Sequence, residues 1–321
     1  MRKFFVIQDI SVYRSELMGW SILWIMMLHF TFTQIKPLGF IAQYGFAGVD
    51  IFMLVSGLGI YFSLHSNHNL LQFYKKRLLR IFPTYYILGI FPSILLHDSI
   101  IEYICRYSTI GFWTGDIYWE WYIPSIVILY LLSPIIKYII DKKYFILIFC
   151  FCISVIVITY YIINHKNILG LLHFFFLYRI PAFIFGMVCA FWIKINLSTK
   201  YYYLFLLAEI PFFCYFFPQH HQFYNYKYFS LLFLLPLFTL LFIQISKYIK
   251  YFNPIIKKIG NASLEIYLVQ SLFFYAIIVD KLIEIPPMWH DAITFFLIVL
   301  CSIIGITIHW AINKYLSIKV S

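Results

Sequence analysis

The sequence predicts an all-α integral membrane protein: a polytopic helix bundle of about ten transmembrane helices, with both termini in the cytoplasm. Three observations carry this. Of 321 residues, 63% are hydrophobic and only 12% are charged. Apolar runs of about 17–25 residues, the length that crosses a hydrocarbon core, recur along the chain. Lysine and arginine are distributed unevenly between alternate loops. A transmembrane barrel would show short alternating strands instead.

The spans fall in order near residues 17–35, 44–64, 81–97, 119–140, 144–163, 171–193, 201–217, 228–246, 262–283 and 292–312. The N-terminal Met1-Arg-Lys-Phe-Phe-Val-Ile-Gln has too short an apolar run before Asp9 for a signal peptide, so the first span is expected to stay. With the N-terminus inside, the inner segments hold 18 of the 24 Lys and Arg, the outer segments hold Lys36, Arg106, Lys166, Lys227 and Lys281, and Arg179 alone falls within a span. That bias sets the expected orientation. The chain shows no solenoid-period repeat and no low-complexity linker, and its loops are short, so a single domain over 1–321 is expected.

The net charge of +11 is placed as a topology signal and does not point to nucleic acid. The cysteines are Cys105, Cys150, Cys152, Cys189, Cys214 and Cys301; five lie in or at the edge of apolar spans and none forms Cys-x-x-Cys, which argues against disulfides or a thiolate metal site. His220 and His221 adjoin, a poor spacing for metal ligands, and no metal is expected.

Candidate chemistry comes from ionisable residues at membrane depth, which are costly there and usually functional. His29 lies 12 residues into the first span, about 18 Å above its inner edge. Asp50, in Gly48-Val-Asp-Ile-Phe-Met-Leu-Val-Ser-Gly57, lies about 21 Å above the inner edge of the second, and Arg179 about 18 Å up the sixth. The three thus share one level. They suit a proton-transfer site in which Asp50 orients His29, His29 takes a proton from a hydroxyl, and Arg179 stabilises a developing oxyanion. Alternatively each packs in the bundle against a local partner.

The stretch Phe73-Tyr-Lys-Lys-Arg77-Leu-Leu-Arg80-Ile-Phe-Pro83 places Arg77 and Arg80 on one helical face. The pair could grip phosphate of a donor such as coenzyme A, or anchor the chain to anionic lipid headgroups; composition alone favours the anchor. Arg14, just before the first span, has the same two readings. Glu265 sits shallowly in the ninth span, where a structural pairing with a nearby basic residue is expected. Glu209 has no expected partner. Ser56 and Gly57 suit a close helix approach. Trp113, Tyr118, Trp119 and Trp121 suit an interfacial belt or stacking on a sugar ring.

These stretches, with Tyr13-Arg-Ser-Glu-Leu before His29, Trp121-Tyr-Ile-Pro, Tyr130-Leu-Leu-Ser-Pro134, Arg179-Ile-Pro-Ala-Phe-Ile-Phe-Gly186 and Gly260-Asn-Ala-Ser-Leu-Glu-Ile-Tyr-Leu268, run in order from residue 13 to about 270. Together they resemble the membrane-bound acyltransferase 3 family, which includes bacterial polysaccharide O-acetyltransferases. The resemblance implies a ten-span fold and O-acyl transfer, with acetyl the expected group, from cytoplasmic acyl-CoA to an acceptor on the outer side. The expected acceptor is a cell-surface polysaccharide or lipid-linked sugar. The resemblance also implies a multi-pass protein of the bacterial cytoplasmic membrane, with His29 the essential histidine and Arg77 and Arg80 the donor-associated pair. The sequence departs from the family pattern at Met18, where many members carry an arginine, leaving Arg14 as the candidate substitute, and at Gln270, where a histidine is frequent. The form expected is the minimal one, without an appended soluble domain. Direct transfer and an acyl-histidine intermediate fit the residues equally. The rival reading is an exporter or flippase of a glycan or lipid-linked precursor, against which the absence of matching Gly/Pro-broken repeats counts.

Overall fold

The computed structural model describes residues 4–66, 69–95, 97–114, 121–165, 176–218, 230–273 and 286–315. Among them every regular element is helical. In chain order these are α1 (Asp9–Val12), α2 (Arg14–Phe30), α3 (Lys36–Ala42), α4 (Ala47–Ser66), α5 (Leu70–Leu95), α6 (Ile100–Tyr107), α7 (Ile110–Thr114) and α8 (Tyr122–Asp141). There follow α9 (Phe145–His165), α10 (Ile180–Lys194), α11 (Lys200–Phe216), α12 (Leu235–Tyr248), α13 (Asn253–Asn261), α14 (Ser263–Phe273) and α15 (Pro287–Tyr315).

The side chains are arranged for a lipid solvent. α9 exposes Ile146, Leu147, Phe149 and Val157, α11 exposes Leu204, Leu207 and Phe212, and α15 exposes Phe296, Val299 and Ile303. Asp50, Arg179, Thr239, Glu265, Gln270 and Thr294 are instead fully buried. Apolar outside and polar inside is what a bilayer demands, since unpaired polar groups cannot face hydrocarbon. Several buried hydroxyls bond along their own helices: Ser21 Oγ donates to Leu17 O at 2.7 Å, Thr239 Oγ1 to Leu235 O at 2.8 Å and Ser302 Oγ to Ile298 O at 2.7 Å. Among the described residues three helices are long and apolar enough to cross a membrane unaided, Ala47–Ser66, Tyr122–Asp141 and Trp289–Tyr315. The protein is a helical membrane protein.

α4 is the hub. It packs against α2, α8 and α12 and most extensively against α10. The seam with α10 exists because two glycines face backbone: a Cβ at Gly57 would run into the Phe183 carbonyl oxygen, and one at Gly186 into that of Leu54. The close approach expected at Gly57 is therefore present. α2 packs between α4 and α13, and α14 pairs with α15 and touches α5.

Helix ends differ from those expected. The first helix stops at Phe30 although the apolar run continues to Phe32, because Thr31 turns the chain with φ 54°. His29 is therefore the penultimate residue of α2 and not a mid-helix residue. The basic stretch before the third span is already helical from Leu70, so Arg77 and Arg80 lie on α5 itself. The ninth span begins where α13 gives way to α14 at Ala262. Tyr118, Trp119, His220, His221 and the remainder of the ninth span lie outside the described residues.

Candidate active site

His29 closes α2, Asp50 lies in the first turn of α4, and Arg179 is the N-cap of α10. The equal depths expected for Asp50 and Arg179 are met by contact. Arg179 Nη1 and Asp50 Oδ2 form a salt bridge whose side chains are 0% and 1% exposed. The guanidinium also lies over the Tyr178 ring, 4.6 Å from its centroid, and Nη2 donates to Tyr178 Oη at 3.4 Å. Burying two charges together is tolerable because each neutralises the other.

The side chain set against His29 is Gln270, fully buried on α14, with both carboxamide atoms enclosed and in no close hydrogen bond among the described residues. The carboxylate expected to orient His29 is thus held by Arg179, and a carboxamide takes the place beside the imidazole. His29 itself is half-buried, with Nδ1 enclosed. An imidazole is the side chain best suited to take or give a proton near neutral pH.

The turn after His29 is bound by α15. Asp291 Oδ1 accepts from Thr33 N at 2.8 Å, and Oδ2 accepts from Gln34 N at 3.1 Å and Ile35 N at 2.6 Å. Thr294 Oγ1 lies 3.0 Å from Phe30 O and 2.9 Å from Thr31 O.

The arginines gather toward the other end of α2. From Arg14 to His29 is 15 residues of one helix, a rise of about 22 Å. The Arg14 guanidinium lies on Gly59 of α4, its atoms 2.6–2.8 Å from where a Cβ would stand. Arg14, Arg77 and Arg80 all lie within electrostatic reach of the Tyr130 hydroxyl, which shares Ser56 with Tyr122 as a side-chain partner. Arg77 rests over the Phe73 ring at 5.7 Å and has no ion-pair partner among the described residues.

Arg80 is engaged differently. Its Nη1 donates to Glu265 Oε1 at 2.5 Å and its Nη2 to Oε2 at 3.1 Å. His309 Nδ1 lies 3.2 Å from the same Oε1, and Asn313 Nδ2 lies 2.9 Å from His309 Nε2. Arg80 Nη2 also lies 3.3 Å from His309 Nδ1, so the imidazole sits between the ion pair and Asn313. The basic partner expected for Glu265 is therefore Arg80.

A family model described as an acyltransferase domain, acyltransferase 3, matches residues 17–310. The chain belongs to the acyltransferase 3 family. No curated protein and no solved structure matches it. The matched stretch contains His29, Asp50, Arg77, Arg80 and Arg179 and begins three residues after Arg14.

The sequence does not mark Asp291, Thr294 or His309, shows Tyr130 only at the head of a matching stretch, and shows Gln270 only as a departure. Asp291 reads from its neighbours, Trp289-His-Asp-Ala-Ile-Thr294, as an interfacial residue at a helix start. Only a backbone turn 256 or more residues away reveals its use.

Proposed function

We propose that this acyltransferase moves an acyl group, acetyl being the expected one, from a cytoplasmic acyl-CoA to a hydroxyl of an extracytoplasmic glycan. It does so as a multi-pass protein of the bacterial cytoplasmic membrane with both termini inside. The placement of His29 and the arginine group at opposite ends of one helix, in a chain matched to the family over most of its length, carries this reading. The arginine end receives the donor's phosphates. Arg14 and Arg77, free of carboxylate partners among the described residues, offer guanidiniums for charge-assisted bonds, while Arg80 is already shared with Glu265. The donor's arm runs along the bundle toward His29.

At the far end the imidazole of His29 takes the proton of the acceptor hydroxyl. The oxygen attacks the thioester carbonyl, the C–S bond breaks, and the thiolate leaves as the thiol with the proton from the imidazolium. Gln270 keeps the ring in one orientation. Asp50 and Arg179 act as one neutral unit that fixes α4 against α10, in place of the separate roles expected from sequence.

The test is His29→Ala in membranes supplied with labelled acetyl-CoA. Loss of label from the carbohydrate fraction is expected; undiminished labelling ends the reading.

A further inference from the structure

We propose that Asp291 and Thr294 are positioning residues for His29: from the head of α15 they clamp the turn that follows it and thereby fix the height and rotation of the imidazole. This rests on the reading of His29 as the proton acceptor.

The turn needs holding. Thr31 has φ 54° and ψ 155°, a backbone region nearly confined to glycine, and it is β-branched. Such a conformation persists only where its surroundings over-determine it. Here both faces of the turn are bound. On the carbonyl face, Thr294 shares its single hydroxyl proton between Phe30 O at 3.0 Å and Thr31 O at 2.9 Å, which satisfies acceptors that the end of α2 leaves orphaned. On the amide face, three successive N–H groups, of Thr33, Gln34 and Ile35, converge on the Asp291 carboxylate at 2.6–3.3 Å. A run of backbone N–H groups leading into a helix, here α3, is an anion nest, and Asp291 fills it from within the chain.

Asp291 and Thr294 are one turn apart on one face of α15. They are 6% and 0% exposed, so these bonds compete with little water. Phe30 and Thr31 immediately follow His29, and the bound carbonyls belong to the last turn on which it stands. A shift of that turn moves the imidazole directly. Gln270, which faces the ring from α14, is carried by the helix that packs on α15, so one element holds both the ring's backbone and the helix of its partner.

The experiment uses the full chain in membranes of the producing cell, with labelled acetyl-CoA as donor and label in the endogenous carbohydrate fraction as readout. Variants are His29→Ala, Asp291→Asn, Thr294→Val and Thr294→Ser. Asp291→Asn is expected to lower turnover between about 10- and 100-fold while donor KM changes by less than about twofold. Thr294→Val should lose about fivefold and Thr294→Ser, which keeps the hydroxyl, should restore it. Normal turnover in Asp291→Asn beside a silent His29→Ala overturns the clamp and leaves the His29 reading standing. A loss expressed as raised donor KM also overturns it. Should Asp291→Asn not elute as a folded species, the Thr294 pair decides: unchanged turnover in the valine variant overturns the proposal, and loss restored by serine supports it. Full transfer by His29→Ala overturns the reading and the clamp together.

Discussion

Arg80 and Glu265 join α5 to α14 through a two-pronged grip, with Nη1–Oε1 at 2.5 Å and Nη2–Oε2 at 3.1 Å, and the Glu265 side chain is completely buried. His309 Nδ1 lies 3.2 Å from the same carboxylate, so a group that would be costly in a membrane core is neutralised by Arg80 and contacted from a second helix, α15. Removing Arg80 strands that carboxylate. Arg80→Ala is expected to cost about 3 kcal/mol of stability and to lower the melting temperature in detergent by about 5 °C or more. Thermal unfolding followed by size-exclusion chromatography measures this; a melting temperature equal to the parent's would contradict it.

Arg77 stands one helical turn away and behaves oppositely. It has a ring contact with Phe73 but no carboxylate partner among the described residues. Arg77→Ala should therefore leave thermal stability nearly unchanged and raise donor KM about 10- to 100-fold, the loss of charge-assisted bonds to phosphate. The two single variants, measured side by side, test a structural role for Arg80 against the donor-binding role proposed for Arg77. Equal effects on both quantities would refute the division.

The Asp50–Arg179 pair makes a different test. Asp50→Asn leaves a fully buried guanidinium without its counter-charge, and about 3–5 kcal/mol of destabilisation is expected. The double variant Asp50→Leu with Arg179→Met replaces the pair with apolar groups and should recover most of the folded yield. If the pair only holds α4 to α10, the folded double variant keeps acyl transfer within about tenfold of the parent. Complete loss of transfer in a well-folded double variant would return Arg179 to the chemistry.

Depth was readable from sequence, and rotation was not. Counting residues along antiparallel apolar runs put Asp50 and Arg179 on one level, and they meet there. Helix positions followed from the apolar runs because backbone in lipid must bond to itself. The outer end of the first helix was misplaced, since Phe32 keeps the hydropathy high after the helix has ended at Phe30. Whether His29 faced Asp50 or Gln270 depended on which sides of α2, α4 and α14 pack together. That choice is written in glycine contacts such as Gly48 of α4 with Ser21 of α2 and Gly305 of α15 with Ile266 of α14, which depth does not encode. Asp291 was hidden for a related reason: its partners are backbone N–H groups, which every sequence has and no sequence marks.

The α4–α10 seam carries its own prediction. A methyl group at Gly186 would collide with the Leu54 carbonyl oxygen, a backbone atom that cannot rotate away. Gly186→Ala should force the helices apart, costing about 1–3 kcal/mol and loosening the burial of Asp50 and Arg179. Gly59→Ala meets a guanidinium instead, the movable end of Arg14. It should preserve folding while displacing Arg14 and raising donor KM. Comparison of folded yield and donor KM for the two alanine variants checks both halves; poor folding of Gly59→Ala would contradict the second.

Gln270 decides how the His29 ring is held. Its carboxamide has both donor and acceptor atoms enclosed beside the imidazole, so it can serve either tautomer of the ring. Gln270→Leu keeps much of the volume and removes both polar atoms set beside the ring. Turnover should fall about tenfold with donor KM unchanged, since the arginine end is untouched. Gln270→His supplies a ring nitrogen in the same place and should retain most of the turnover, because an imidazole can also donate or accept. The pair distinguishes a polar partner from a packing role: if leucine and histidine at this position give equal rates, the carboxamide is packing only. If leucine alone is slow, the orientation of His29 is set from α14 as well as through its own backbone.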